Sequence, residues 1–246
     1  MEALELASFM VGAALAETVL ESSGSAVRHA IADPLVRRAI FALTVGVVLT
    51  GIIYSPWGRR SGAHINPAVT LAFFRLNTAR RWDAFFYVLF QMAGGLAGVL
   101  LASALLGDPF RKPPVEYIVT VPGRWGEMAA FAAELAMSYA VMMGILIGTN
   151  VKALSRWTGV IVGGLIALFV LAEVPVSGTS INPARTFASA LPAGVWTGGW
   201  LYFVAPPAGM LLAAESWLRI GGGRVRSGKV VHDQHSRCIF RCDGHD

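Results

Sequence analysis

The sequence predicts an all-α membrane protein of six transmembrane helices and two re-entrant half-helices, arranged as an inverted repeat. Three observations carry that prediction: an apolar composition, six apolar runs of span length, and a twelve-residue segment that occurs twice. The 246 residues are 55% hydrophobic and 14% charged, with mean hydropathy +0.58, whereas a soluble domain carries about a quarter charged residues. Such a chain lacks the polar surface to face water all round, which excludes disorder and argues against a soluble enzyme. The net charge of +5 is then the charge of cytoplasmic loops rather than a nucleic-acid footprint. The two cysteines, Cys238 and Cys242, lie close together in the last residues, so no disulfide framework is expected. The first apolar stretch lacks a basic leader, so no cleavable signal is expected either.

A bilayer core about 30 Å thick needs roughly 20 apolar residues per helix. Runs of that kind lie near 3–20, 36–55, 83–107, 127–149, 158–173 and 197–217. Shorter apolar pieces at 67–76 and 183–191 are about half a span each; at membrane depth, such pieces are tolerated where the backbone lines a cavity or is buried in protein. With the N-terminus cytoplasmic, the inner segments hold 13 Lys and Arg and the outer segments six, while Arg185 stays within the membrane region. That asymmetry predicts both termini inside. The seven tryptophans fall at or near span ends, as an interfacial belt requires.

Residues 61–72 read SGAHINPAVTLA and residues 177–188 read SGTSINPARTFA, eight identities in twelve positions. Each copy follows two spans and each half contains three, so the second copy enters the membrane from the opposite side. Asn66-Pro67-Ala68 and Asn182-Pro183-Ala184 both read as helix starts. Asn is a strong N-cap, Pro suits the first helical position, where its missing N–H needs no partner, and Ala continues the helix. Two half-helices meeting at mid-membrane would aim positive dipole ends and amide donors at one point, which disfavours cations and offers hydrogen bonds to a neutral polar solute. A lone Asn-Pro-Ala is a common turn; a pair in register with the spans is specific.

On the segments SGAHINPAVT at 61–70 and SGTSINPARTF at 177–187, with Gln91 and Glu134, the chain resembles an aquaporin of the major intrinsic protein family over nearly all of 1–217. The resemblance implies a right-handed bundle with one pore per subunit in a homotetramer, repeats at about 1–107 and 127–217, and a cytoplasmic tail at 218–246. It points to the nodulin-like branch with its bacterial relatives, or to aquaglyceroporin-type members, and to a bacterial inner membrane. The implied function is a passive channel for water and small uncharged solutes such as glycerol, and boric or arsenous acid, with membrane lipid around it, no cofactor and no enzymatic turnover.

Arg185 sits in an otherwise uncharged segment, and an intramembrane cation normally faces a pore or a partner. By the resemblance, Val170, Thr179 and a residue of the second span complete a selectivity filter with it; that residue is Val45, or Gly46 if the segment PWGRR is one residue longer than usual. Narrow water channels carry an aromatic and a His where this chain has Val or Gly and Val170, which implies a wider, less polar opening. Tyr202, Phe203, Thr186 and Ala190 instead resemble the water-channel choices.

Glu134 and one of Glu2 or Glu5 are expected to be equivalent carboxylates that accept N–H groups from the re-entrant loops, and His64 a loop hydrogen-bonder. Gly94 with Gly98, and Gly159 with Gly163, suit close helix contact. His232, His235, Cys238, Cys242 and His245 are a weak candidate metal or metalloid cluster, since Cys-x3-Cys is not a standard zinc spacing. An alternating-access transporter of a small neutral solute is the competing class, because inverted repeats and broken helices occur there too. It would need a coupling carboxylate or a hinge beside the motifs.

Overall fold

The computed structural model describes residues 1–220, 225–231 and 240. Along the chain, α1 spans Glu2–Glu21, α2 Ala26–Ala30, α3 Pro34–Tyr54, α4 Pro56–Ser61, α5 Pro67–Arg75, α6 Arg81–Leu106, α7 Asp108–Arg111, α8 Gly126–Asn150, α9 Thr158–Ser177, α10 Pro183–Ala193 and α11 Gly199–Ile220. No strand occurs among the described residues. The six long helices and the two half-helices coincide with the apolar runs to within a few residues.

The helix starts follow from local chemistry. Asp33 caps α3, its Oδ1 accepting Leu35 N–H at 2.8 Å, and Pro34 at the first position needs no partner. Five of the long helices are long and apolar enough to cross a membrane by length and composition alone. The remaining one, α11, has 22 residues, or about 33 Å at 1.5 Å per residue. It is less apolar because it holds Pro206, Pro207, Glu215 and Arg219, and it joins the bundle by packing along α8. Exposed Leu43, Val47, Phe85 and Leu105 cover the outside of the bundle with apolar surface that suits lipid rather than water.

The packing repeats with the sequence. In the first half α1 lies against α3 and α6, and in the second α8 lies against α9 and α11. The halves join where α3 crosses α9, and each half-helix packs on the other repeat, α10 on α6 and α5 on α11. Small residues permit these crossings: a Cβ at Gly94 would stand 2.2 Å from Ala3 O, and one at Gly163 would stand 2.5 Å from Gly46 O. Neither space admits a methyl group, so α1 with α6 and α3 with α9 meet backbone to backbone.

The ends of the helices are tied on one face. Tyr54 Oη donates to Arg156 O at 2.6 Å, which ties the end of α3 to the start of α9, and Arg75 pairs with Glu215 at 2.6 Å, which ties the end of α5 to the last turns of α11. This face is called the tail face below, because the described part of the C-terminal segment, 225–231, returns to it.

Candidate functional site

The two repeated loops meet in the middle of the bundle. Asn66 Oδ1 accepts Ala68 N–H at 2.9 Å, and Asn182 Oδ1 accepts Ala184 N–H at 3.0 Å and Arg185 N–H at 3.4 Å. Each Asn is therefore the cap of its half-helix, as its position before Pro-Ala requires. Across the junction Asn66 Nδ2 donates to Ile181 O at 2.8 Å, and Asn182 Nδ2 donates to Ile65 O at 2.9 Å. An Asn amide has two N–H donors. One from each is spent holding the opposite loop, and the other remains for the cavity that both residues line.

Both loops are strained in the same way. Ala63 and Ile65 have φ of 51° and 55°, and Thr179 and Ile181 have φ of 52° and 57°. A β-branched residue in this left-handed region costs about 1–3 kcal/mol and persists only where its surroundings over-determine it. Two buried carboxylates do so here. Glu2 accepts His64 N–H at 3.1 Å and Ile65 N–H at 2.7 Å. Glu134 accepts Ser180 N–H at 2.7 Å, Ile181 N–H at 2.6 Å and the Ser177 hydroxyl at 2.9 Å. Of the two carboxylates left open by the sequence, Glu2 is thus the equivalent of Glu134. Both oxygens of Glu5 are buried without a hydrogen-bond partner among the described residues. Gln91 Nε2 donates to Glu2 at 2.7 Å and to Thr70 Oγ1 at 3.1 Å, fixing the first carboxylate from the α6 side.

A cavity of about 100 Å³ runs past this junction. Its wall on α9 is Val162, Ile166, Val170 and Val174, one residue every four, and on α3 it includes Phe41, Val45 and Leu49. Thr179 and Arg185 line it together with Val45 and Val170. Counted from the tail face, Val170 lies in the far half of α9, while Val45 lies near the middle of α3. Arg185 Nη1 is buried and has no hydrogen-bond partner among the described residues, so it is an unpaired donor on a residue that lines a largely apolar cavity. Gly46 does not line the cavity; it lies at the α3–α9 crossing, where a Cβ would meet Gly163 O at 2.7 Å and Ala167 Cβ at 2.9 Å. Gly46→Val is accordingly expected to lower the yield of assembled protein in gel filtration, while whatever assembles keeps the wild-type ratio of glycerol to water permeability. Normal yield with an altered ratio would instead put Gly46 at the pore.

The residues that resemble water-channel choices have structural contacts. Tyr202 Oη donates to Ser177 O at 2.6 Å, and Thr186 Oγ1 bonds Thr120 Oγ1 at 2.9 Å and Ser180 Oγ at 2.5 Å. Phe203 is exposed, while Ala190 is buried. His64 bonds Thr70 Oγ1 at 3.1 Å through Nδ1 and Gly228 O at 2.8 Å through Nε2. Among the described residues no cluster of metal-ligating side chains occurs, and His232, His235, Cys238, Cys242 and His245 lie outside them.

Several cavity residues escaped the sequence reading. Phe41 and Val174 stand one helical turn from Val45 and Val170, a spacing that could have identified them. Ile118, on the connection between α7 and α8, and Val230, in the C-terminal segment, reach the cavity only through the fold.

Comparison with known proteins agrees with this arrangement. Residues 5–217 match the family described as Major intrinsic protein. Among curated relatives, Aquaporin NIP2-3 of Zea mays is 33% identical over 170 residues, 69% of this chain and 54% of the relative. Nodulin-26 of Glycine max is 33% identical over 174 residues, 70% of this chain and 62% of the relative. The chain thus matches between about half and two-thirds of the length of these relatives. Among solved structures, the aquaglyceroporin from Plasmodium falciparum superposes with a TM-score of 0.70 at 18% identity, covering 89% of this chain and 93% of that one.

Proposed function

The chain belongs to the major intrinsic protein family, an integral membrane family, and from that premise we propose that it is a passive channel for water and small uncharged solutes that excludes protons and ions. The observation that carries this reading is the reciprocal bonding of Asn66 to Ile181 O and of Asn182 to Ile65 O, which leaves one amide donor from each for an otherwise largely apolar cavity. A neutral solute can exchange its water for these donors and for Arg185. A cation meets two half-helix N-termini and a guanidinium, all of positive potential, where it must shed its hydration.

Val45, Val170, Thr179 and Arg185 are proposed as the selectivity filter. Two isopropyl groups facing Thr179 and Arg185 leave width and an apolar side, which suits glycerol and undissociated boric or arsenous acid as well as water. Asn66, Pro67, Ala68, Asn182, Pro183 and Ala184 form the central junction, and Glu134 is its structural support. A coupled transporter is disfavoured because no Asp or Glu is found among the described residues that line the cavity.

Residues 1–217 are proposed as the channel domain and the rest as its tail, with the protein a homotetramer. Both termini are placed on the cytoplasmic side, on the excess of 13 Lys and Arg over six. The membrane is proposed to be a bacterial plasma membrane, on the resemblance of the flanking residues to bacterial relatives of the nodulin-like branch, although the relatives reported above are plant proteins.

Proteoliposomes carrying the protein should swell faster than empty vesicles in stopped-flow measurements with water, glycerol and boric acid, and planar bilayers should carry no cation current. Single-channel cation steps, or swelling no faster than in empty vesicles both for the wild type and for variants altered in the C-terminal segment, would overturn the proposal.

A further inference from the structure

The described part of the C-terminal segment is bound into the mouth of the cavity at the tail face. Val230 lines the same cavity as Asn66 and Asn182, and it is 2% exposed. Its N–H donates to Gly62 O at 2.8 Å, so its backbone is fastened to the first re-entrant loop. Three further contacts hold the segment to separate elements. Arg226 N–H donates to Asn150 Oδ1 at 2.8 Å, Gly228 O accepts from His64 Nε2 at 2.8 Å, and Lys229 Nζ donates to Arg59 O at 3.0 Å. Phe240 stacks on the His64 ring with centroids 5.1 Å apart.

The fit is steric as well as polar. A Cβ at Gly62 would stand 2.9 Å from Lys229 Cγ, and one at Gly228 would stand 2.9 Å from Phe240 Cβ and 3.1 Å from Thr78 Cβ. A side chain at either glycine would therefore crowd its neighbours, and Lys229, within the segment, is wholly buried. A long polar side chain in that position is costly unless the segment stays where its ammonium finds an acceptor.

From this geometry we propose that residues 225–231 are a latch that seats Val230 across the tail-face mouth of the pore and closes it, so that solute passes only when the segment is released. The latch rests on the channel reading above. It is a two-state element of the kind in which an uncoupled segment shifts the population to the open form. The filter residues Val45, Val170, Thr179 and Arg185 are untouched by it, so it governs how much passes rather than what passes.

The test uses the full chain in proteoliposomes, with Gly228→Val to remove the steric fit and Lys229→Ala to remove the bond to Arg59 and the buried stem. Neither residue lies in a helix, and assembly of both variants is checked by gel filtration. If the open form is a minor state of about a tenth or less, each variant should raise water and glycerol permeability together by roughly tenfold or more, with their ratio unchanged. Trypsin should cut after Lys229 more slowly in the wild type than in Gly228→Val. Wild-type flux above that of empty vesicles and equal to that of both variants overturns the latch and leaves the channel standing, and equal cleavage rates overturn the docking. No flux above empty vesicles from the wild type or either variant overturns the channel reading and the latch with it.

Discussion

Replacing Glu134 with Ala is expected to leave little or no assembled, conducting protein. The carboxylate accepts three donors, two from the backbone of the second re-entrant loop and one from Ser177, all buried. Each donor orphaned away from water costs about 1–3 kcal/mol. Three together approach or exceed the whole stability of a typical domain, about 5–15 kcal/mol. The loss also falls where the chain is least able to absorb it, because Thr179 and Ile181 hold left-handed conformations that this clamp helps to maintain. Glu134→Gln is the informative comparison. It retains one carbonyl acceptor but turns an NH2 group toward Ile181 N–H or Ser180 N–H, so an intermediate yield is expected. Yield by gel filtration and flux by stopped-flow swelling report the series. Normal yield and flux for Glu134→Ala would show that the loop holds itself, and that the carboxylate has another role.

Val45→Phe with Val170→His should lower the ratio of glycerol to water permeability by roughly tenfold or more, equivalent to about 1.4 kcal/mol of added barrier for the larger solute. Both valines line the cavity together with Thr179 and Arg185. An aromatic ring and an imidazole in place of two isopropyl groups narrow the passage, and size exclusion outweighs the polarity gained because the gap is only a few ångströms wide. Water loses less, since a single molecule can still pass between Arg185 and the new imidazole. The two singles separate the contributions: Val45→Phe acts by bulk alone, whereas Val170→His adds a hydrogen-bonding group. An unchanged ratio in an assembled double variant would move the narrowest point elsewhere, with Phe41 and Val174, one turn away on the same walls, the next to test.

The sequence by itself determined the spans, the repeat and the two Asn-capped half-helices. Those features are local: a run of apolar residues must be helical in lipid because its backbone has no other partner there, and Asn followed by Pro and Ala starts a helix wherever it lies. The inverted placement of the second half-helix followed from counting spans, and Arg185 stood out because a charge at that depth needs a reason.

Tertiary structure decided what depends on neighbours distant in the chain. Glu2 and Glu5 are indistinguishable as letters, yet only Glu2 lies where it can reach the N–H groups of His64 and Ile65. Val45 and Gly46 are adjacent, and a helix turns about 100° between them; the crossing at Gly163 takes the glycine and leaves the valine to the cavity. The left-handed residues Ile65 and Ile181 contradict their own backbone preferences, so no propensity could announce them; they are imposed by carboxylates about 45–65 positions away. The return of Val230 to the pore mouth is of the same kind. Nothing in GGGRVRSGKVV points to a pore, because the burial of Val230 is created by Gly62, His64 and Arg59, which receive the segment around it.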